Sequence, residues 1–148
     1  MAILLAALVL TGCAEREEPA PGPPAAKAAV DGERIANADS EPGSWLSHGR
    51  TYSEQRFSPL TQITRDNVGR LGLAWYADLD TRRGQEATPL MVDGVIYVST
   101  AWSKVKTFDA KTGEAIWAFD PQVPGEWAVN ACCDVVNRGV AVWQGKVF

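Results

Sequence analysis

Two short hairpins of one design constrain this 148-residue chain more than any other feature. Pro89-Leu-Met-Val-Asp93-Gly94-Val-Ile-Tyr-Val98 reads as two apolar strands joined by Asp-Gly. That dipeptide enters a type I′ turn readily, because both central residues need positive φ. Val140-Ala-Val-Trp143-Gln144-Gly145-Lys146-Val147-Phe148 repeats the pattern, with Gly145 falling 51 positions after Gly94. A period of about 40–50 residues built from short antiparallel strands marks the blades of a β-propeller. Two copies make a weak repeat by themselves, so a second recurring element has to carry the assignment.

That element is a turn followed by a tryptophan. Thr107-Phe-Asp109-Ala-Lys-Thr112-Gly113-Glu-Ala-Ile-Trp117 places a tight Asp-Ala-Lys-Thr-Gly turn between two strands, the second ending at Trp117. Gly113 can take the positive φ such a turn requires. Trp75 lies 42 positions earlier, at the end of a strand expected within Leu71–Asp80, and six Trp stand against three Tyr and four Phe in the whole chain. A short helix is expected around Thr64–Leu71, with Thr64 as its N-cap. The fold class is therefore all-β: the start of a multi-bladed propeller with antiparallel blades, folded from about Trp45 to Phe148. A blade takes about four strands, so residues 45–148 would supply two blades at most, an incomplete domain that is inactive alone.

The first 44 residues are of a different kind. Ala2–Leu10 is an uncharged apolar run, shorter than the roughly 20 residues of a spanning helix and suited to the core of a secretory signal. It ends in Leu10-Thr11-Gly12-Cys13, which resembles a bacterial lipoprotein signal, although no Lys or Arg precedes the run. Residues 1–12 are read as the signal and Cys13 as the lipidated mature N-terminus, which would place the protein in the periplasm, anchored to a membrane by lipid. Residues 13–44 carry Glu15, Glu17, Glu18, four prolines from Pro19 to Pro24, and an Ala-rich stretch. They are read as a disordered tether, too poor in apolar surface to offset ordering entropy. A net charge of −4 and a pI near 5.0 exclude the basic surface that nucleic-acid binding needs.

Cys132 and Cys133 are adjacent. Neighbouring Cα atoms lie about 3.8 Å apart, below the usual disulfide range of about 4.4–6.8 Å, so a bond between them would close a strained eight-membered ring. The alternative is that neighbours along a strand face opposite ways, leaving one thiol buried and one exposed. With no Cys-x-x-Cys and no Cys-His pair, a zinc or haem site has no ligands to start from. His48 is the single histidine, and nothing around it builds a catalytic triad.

The turn and its tryptophan, together with Cys132-Cys-Asp-Val-Val-Asn-Arg138-Gly139, resemble the quinoprotein alcohol and methanol dehydrogenases, whose cofactor is pyrroloquinoline quinone (PQQ). The resemblance runs from about Trp45 to Phe148 and implies an eight-bladed propeller. It implies a tryptophan-docking motif at Gly113 and Trp117, with Thr107 where the family usually has Ala, and a disulfide between Cys132 and Cys133 that stacks on PQQ. It implies that Arg138 binds the cofactor, whose three carboxylates suit a guanidinium fork, and that Glu86, in Gly84-Gln85-Glu86-Ala87-Thr88-Pro89, contacts it as well. A carboxylate beside an anionic ligand needs a shared proton or a nearby cation. The segment holding His48 is structural in the family.

The activity so implied is oxidation of a small-molecule alcohol to the carbonyl, with electrons passing to a periplasmic acceptor such as cytochrome c or a quinone. Ca²⁺ and the catalytic aspartate are expected from residues beyond Phe148, so no catalytic or metal-ligating residue is assigned here. Two rivals share the blades. One is a non-catalytic lipoprotein scaffold of the outer-membrane assembly type, which has no cause to hold a cysteine ring beside Arg138. The other is the membrane-bound sugar or quinate type of quinoprotein, which as a family lacks the cysteine pair.

Overall fold

The computed structural model describes residues 28–148. The signal segment, Cys13 and the first half of the tether lie outside the described residues.

Asp93 and Gly94 take φ of 51° and 80°, and the type I′ turn they form joins β1 (Leu90–Val92) to β2 (Val95–Ser99). Leu90 pairs with Tyr97 and Val92 with Val95. β3 (Val105–Asp109) and β4 (Ala115–Phe119) continue the sheet in the order β1-β2-β3-β4, antiparallel throughout. The β3–β4 turn is built by Asp109. Its Oδ1 accepts from Lys111 N at 2.9 Å and Thr112 N at 2.7 Å, and Gly113 N donates to Asp109 O at 2.9 Å. The bonds to its Oδ1, the Thr112 amide first among them, hold the Asp109 carboxyl below its ordinary pKa. The register shifts between Thr107 and Phe108. There the buried Thr107 hydroxyl accepts from Trp117 N and donates to Trp117 O, both at 3.1 Å, so this departure from Ala is satisfied within the sheet.

The second hairpin, β5 (Val142–Trp143) and β6 (Lys146–Val147), turns through Gln144 and Gly145 at φ of 47° and 75°. The two hairpins thus share a turn geometry as well as a sequence pattern. The described residues form one four-stranded sheet and one two-stranded sheet.

Three sequence expectations are corrected. Residues 28–44 are not a disordered tether. Asp31 caps the short helix α1 (Gly32–Ala36) by accepting from Arg34 N at 2.8 Å, Ala38 is buried, and Val30 is fully buried with Leu46, Leu90, Val92 and Val142. Burying an aliphatic side chain of this size contributes about 1.5–3 kcal/mol, and this core includes the segment that composition marked as solvated. The same segment grips both hairpin turns. Val30 O and Ala28 O accept from Gln144 N at 2.8 Å and Gly145 N at 2.9 Å, while Arg34 reaches Asp93 Oδ2 at 3.2 Å and Glu41 Oε1 at 2.7 Å.

The helix expected at Thr64–Leu71 is only a turn leading into a 3₁₀ segment, Val68–Arg70. Thr64 does not cap it with its side chain; instead Asn67 Oδ1 accepts from Thr64 N at 2.7 Å. Gly69 and Gly72 disfavour propagation beyond this turn. Leu71–Asp80 forms no strand and pairs with none. Trp75, Ala77 and Leu79 are the half-buried alternate residues of this stretch. Trp75 nonetheless docks on the β3–β4 turn: its indole Nε1 donates to Ala110 O at 3.1 Å, and its ring lies directly over Gly113.

Candidate functional site

Two loops meet beside the end of β2. One is 84–89, which precedes β1; the other is 131–139, which precedes β5. Thr88 N donates to Arg138 O at 3.1 Å, so the backbones touch. Gly139 permits the approach: its φ is 135°, and a Cβ there would sit 3.1 Å from Thr88 O. Further bonds anchor the pair. Gln85 Nε2 donates to Ser99 O at 2.7 Å, Trp102 N donates to Val135 O at 2.8 Å, and Arg83 Nη1 reaches Asp134 Oδ1 at 3.0 Å.

This meeting brings Glu86, Cys132, Cys133 and Arg138 into one patch. Arg138 Nε lies 3.5 Å from Glu86 Oε2, and the two side chains are 78% and 47% exposed. Arg138 thus places a cation within ionic reach of the Glu86 carboxylate. Its terminal guanidinium nitrogens hydrogen-bond no described side chain. Cys132 and Cys133 are both exposed free thiols, with sulfurs 2.7 Å apart. The alternative of one buried and one exposed thiol is not what the chain adopts. Contact with Cys132 raises the Cys133 thiol above its ordinary pKa; burial and the Glu86 carboxylate act the same way, and Arg138 opposes them.

The patch presents a planar cation, a carboxylate and two polarisable sulfurs to solvent, a donor set that fits a flat, anionic, conjugated molecule. The matching family model is the β-propeller domain of PQQ glucose/ethanol/alcohol dehydrogenases, which aligns with residues 45–147. The chain belongs to this family. The dehydrogenase subunit of a quinone alcohol dehydrogenase from Komagataeibacter europaeus is 62% identical over 117 residues, covering 79% of this chain and 16% of that protein. A 1-butanol dehydrogenase (cytochrome c) from Thauera butanivorans is 56% identical over 106 residues, covering 72% and 15%. The solved structure of the quinohemoprotein alcohol dehydrogenase ADHIIG from Pseudomonas putida superposes with a TM-score of 0.79 at 60% identity, over 82% of this chain and 18% of that one. The chain thus spans about a sixth of the length of these PQQ-family relatives.

His48 hydrogen-bonds none of the four patch residues: its Nε2 lies 3.0 Å from Arg56 Nη2 and its carbonyl accepts from Trp45 Nε1 at 3.2 Å. Sequence reasoning passed over three residues that shape the site. Asn137 stands within the quoted cysteine–arginine motif and could have been singled out. Ser99 and Gln85 offered no local signal, because their roles depend on which loops the fold brings together.

Proposed function

We propose that the protein to which this chain belongs oxidises an alcohol to its carbonyl, and that Glu86, Cys132, Cys133 and Arg138 form one wall of its PQQ site. The observation that carries the reading is the convergence of these four residues, from two loops about 50 positions apart in sequence, in a chain of the PQQ dehydrogenase family. When bound, PQQ supplies the redox chemistry by accepting the two electrons and two protons that the alcohol loses. The chain's own residues bind and orient. The Arg138 fork meets carboxylate oxygens, Glu86 balances the charge of that guanidinium, and the two sulfurs offer a polarisable surface to a conjugated ring. We further propose that Cys132 and Cys133 are joined in the mature enzyme, since an exported protein meets oxidising conditions and their sulfurs are already in contact. Calcium, the catalytic base and the substrate pocket are assigned to other parts of the longer protein. The acceptor is a quinone or a cytochrome c, and a lipid on Cys13 holds the enzyme at the periplasmic face of a membrane.

The test is dye-linked oxidation of primary alcohols by the full-length protein after removal of cofactor. Activity that returns only when PQQ and Ca²⁺ are supplied supports the reading. Alcohol oxidation that proceeds without PQQ, or a protein that fails to bind PQQ at all, overturns it.

A further inference from the structure

Arg138 poses a positional problem. Its side chain is 78% exposed, and its nearest ionic partner, Glu86, is 3.5 Å away. Side-chain contacts as loose as these do not fix where the guanidinium points. Its backbone, in contrast, is held: its carbonyl accepts from Thr88 N at 3.1 Å, and Asn137 ties down the residues on either side of it. Asn137 Oδ1 accepts from Ser99 Oγ at 2.6 Å and from Gly139 N at 2.9 Å. Its Nδ2 faces Ser103 Oγ at 3.4 Å. The Gly139 amide can only donate, so the side-chain orientation of Asn137 is determined by its partners. Ser99 is fully buried at the end of β2, and its carbonyl accepts from Gln85, the residue beside Glu86. One short network therefore runs from Gln85 through Ser99 and Asn137 to Gly139, reaching the neighbours of both charged residues of the site.

We propose that Asn137 is a positioning residue for the cofactor site: anchored on the buried Ser99 hydroxyl, it fixes the direction in which Arg138 leaves the chain. This rests on the reading of Arg138 as a PQQ-binding residue. Asn137 itself needs no contact with the cofactor. Replacing it with Leu, of similar size, removes the accepting oxygen and leaves the Ser99 hydroxyl and Gly139 amide without partners. Arg138 would then sample directions in which its fork no longer meets carboxylate oxygens.

A double-mutant cycle on the full-length apoprotein, read as the Kd for PQQ at fixed Ca²⁺, separates this role from a general structural one. Asn137→Leu is expected to raise Kd by about tenfold in the natural background and to have almost no effect once Arg138 is Ala, because coupled residues give non-additive changes. The same factor in both backgrounds, or an unchanged Kd in Asn137→Leu alone, overturns the proposal while leaving Arg138 as a binding residue. If Arg138→Ala by itself leaves Kd unchanged, the cofactor-site reading falls and the proposal falls with it. Should Asn137→Leu not fold, Ser99→Ala serves in its place. It removes only the buried hydroxyl that anchors Asn137, and a weakening of PQQ binding that vanishes in the Arg138→Ala background is again the expected result. Additive effects there overturn the proposal equally.

Discussion

Gly113→Ala should loosen the contact between the β3–β4 turn and Trp75 far more than a backbone penalty alone explains. Gly113 has φ of +76°, and a Cβ there would meet Trp75 Cδ2 at 2.5 Å, Cε3 at 2.7 Å and Cγ at 2.8 Å. Left-handed backbone costs a residue with a Cβ about 1–2 kcal/mol. Displacing the indole adds overpacking strain of about 1–3 kcal/mol and loses the Nε1–Ala110 hydrogen bond, about 1 kcal/mol. The total is about 3–6 kcal/mol. Gly94→Ala is the matched control, since Gly94 has φ of +80° with no atom within 4 Å of its would-be Cβ, and it should cost only about 1–2 kcal/mol. A propeller of many blades need not unfold in one step, so the assay is hydrogen exchange by mass spectrometry on the full-length protein. Peptides covering 71–80 and 107–117 should exchange about a hundredfold faster or more in Gly113→Ala, and much less so in Gly94→Ala. Equal acceleration in the two variants, or an unaffected 71–80 peptide, would refute the docking role given to Gly113.

Arg34→Met should release residues 28–44 from the β1–β2 turn, at a cost of about 1–2 kcal/mol given the partial exposure of its ion pairs, seen as faster exchange in peptides 28–44. Because the Arg34 hydrogen bond holds Glu41 below its ordinary value of 4.5, the stabilisation is complete above that pH and lost as pH falls through the lower folded value. Acid sensitivity of the segment below about pH 4.5 should therefore be blunted in Arg34→Met; an equally steep response in both proteins would show that another group controls it. Thiol counting by mass spectrometry on the oxidised, active enzyme should find Cys132 and Cys133 joined and released by mild reductant, and two free thiols there would dismiss the ring. Cys13→Ala should leave the protein unprocessed or soluble, whereas unchanged membrane partitioning would rule out the anchor.

The parts of the fold legible in the sequence were those set by local chemistry. Asp93-Gly94 announces a hairpin turn because few dipeptides tolerate two positive φ values, and the polar-Gly pair Gln144-Gly145 repeats it between apolar runs. The Asp109–Gly113 turn is equally self-contained, closed by bonds between residues at most four apart. Residues 28–44 were misread because their order comes from distant partners. The amides of Gln144 and Gly145, the Asp93 carboxylate and the sheet face around Leu90 are invisible in a window rich in Pro, Ala and Glu. Asp31, a helix N-cap preceding Glu33 and Arg34, was the one local clue. Within the site, Cys132, Cys133 and Arg138 stood out as residue types, while the Ser99–Asn137 bond depends on β2 and the 131–139 loop being neighbours, which only the three-dimensional arrangement shows.

We propose above that Arg138, beside Glu86 and the cysteine pair, grips the anionic cofactor through a planar fork. Arg138→Lys tests it most directly, because it keeps the charge and removes the fork. Titration of PQQ into the full-length apoprotein, at fixed Ca²⁺ and ionic strength, should show binding weakened by about tenfold or more relative to the natural protein. An affinity for PQQ that is the same in the two proteins would remove the planar fork of Arg138 from cofactor binding.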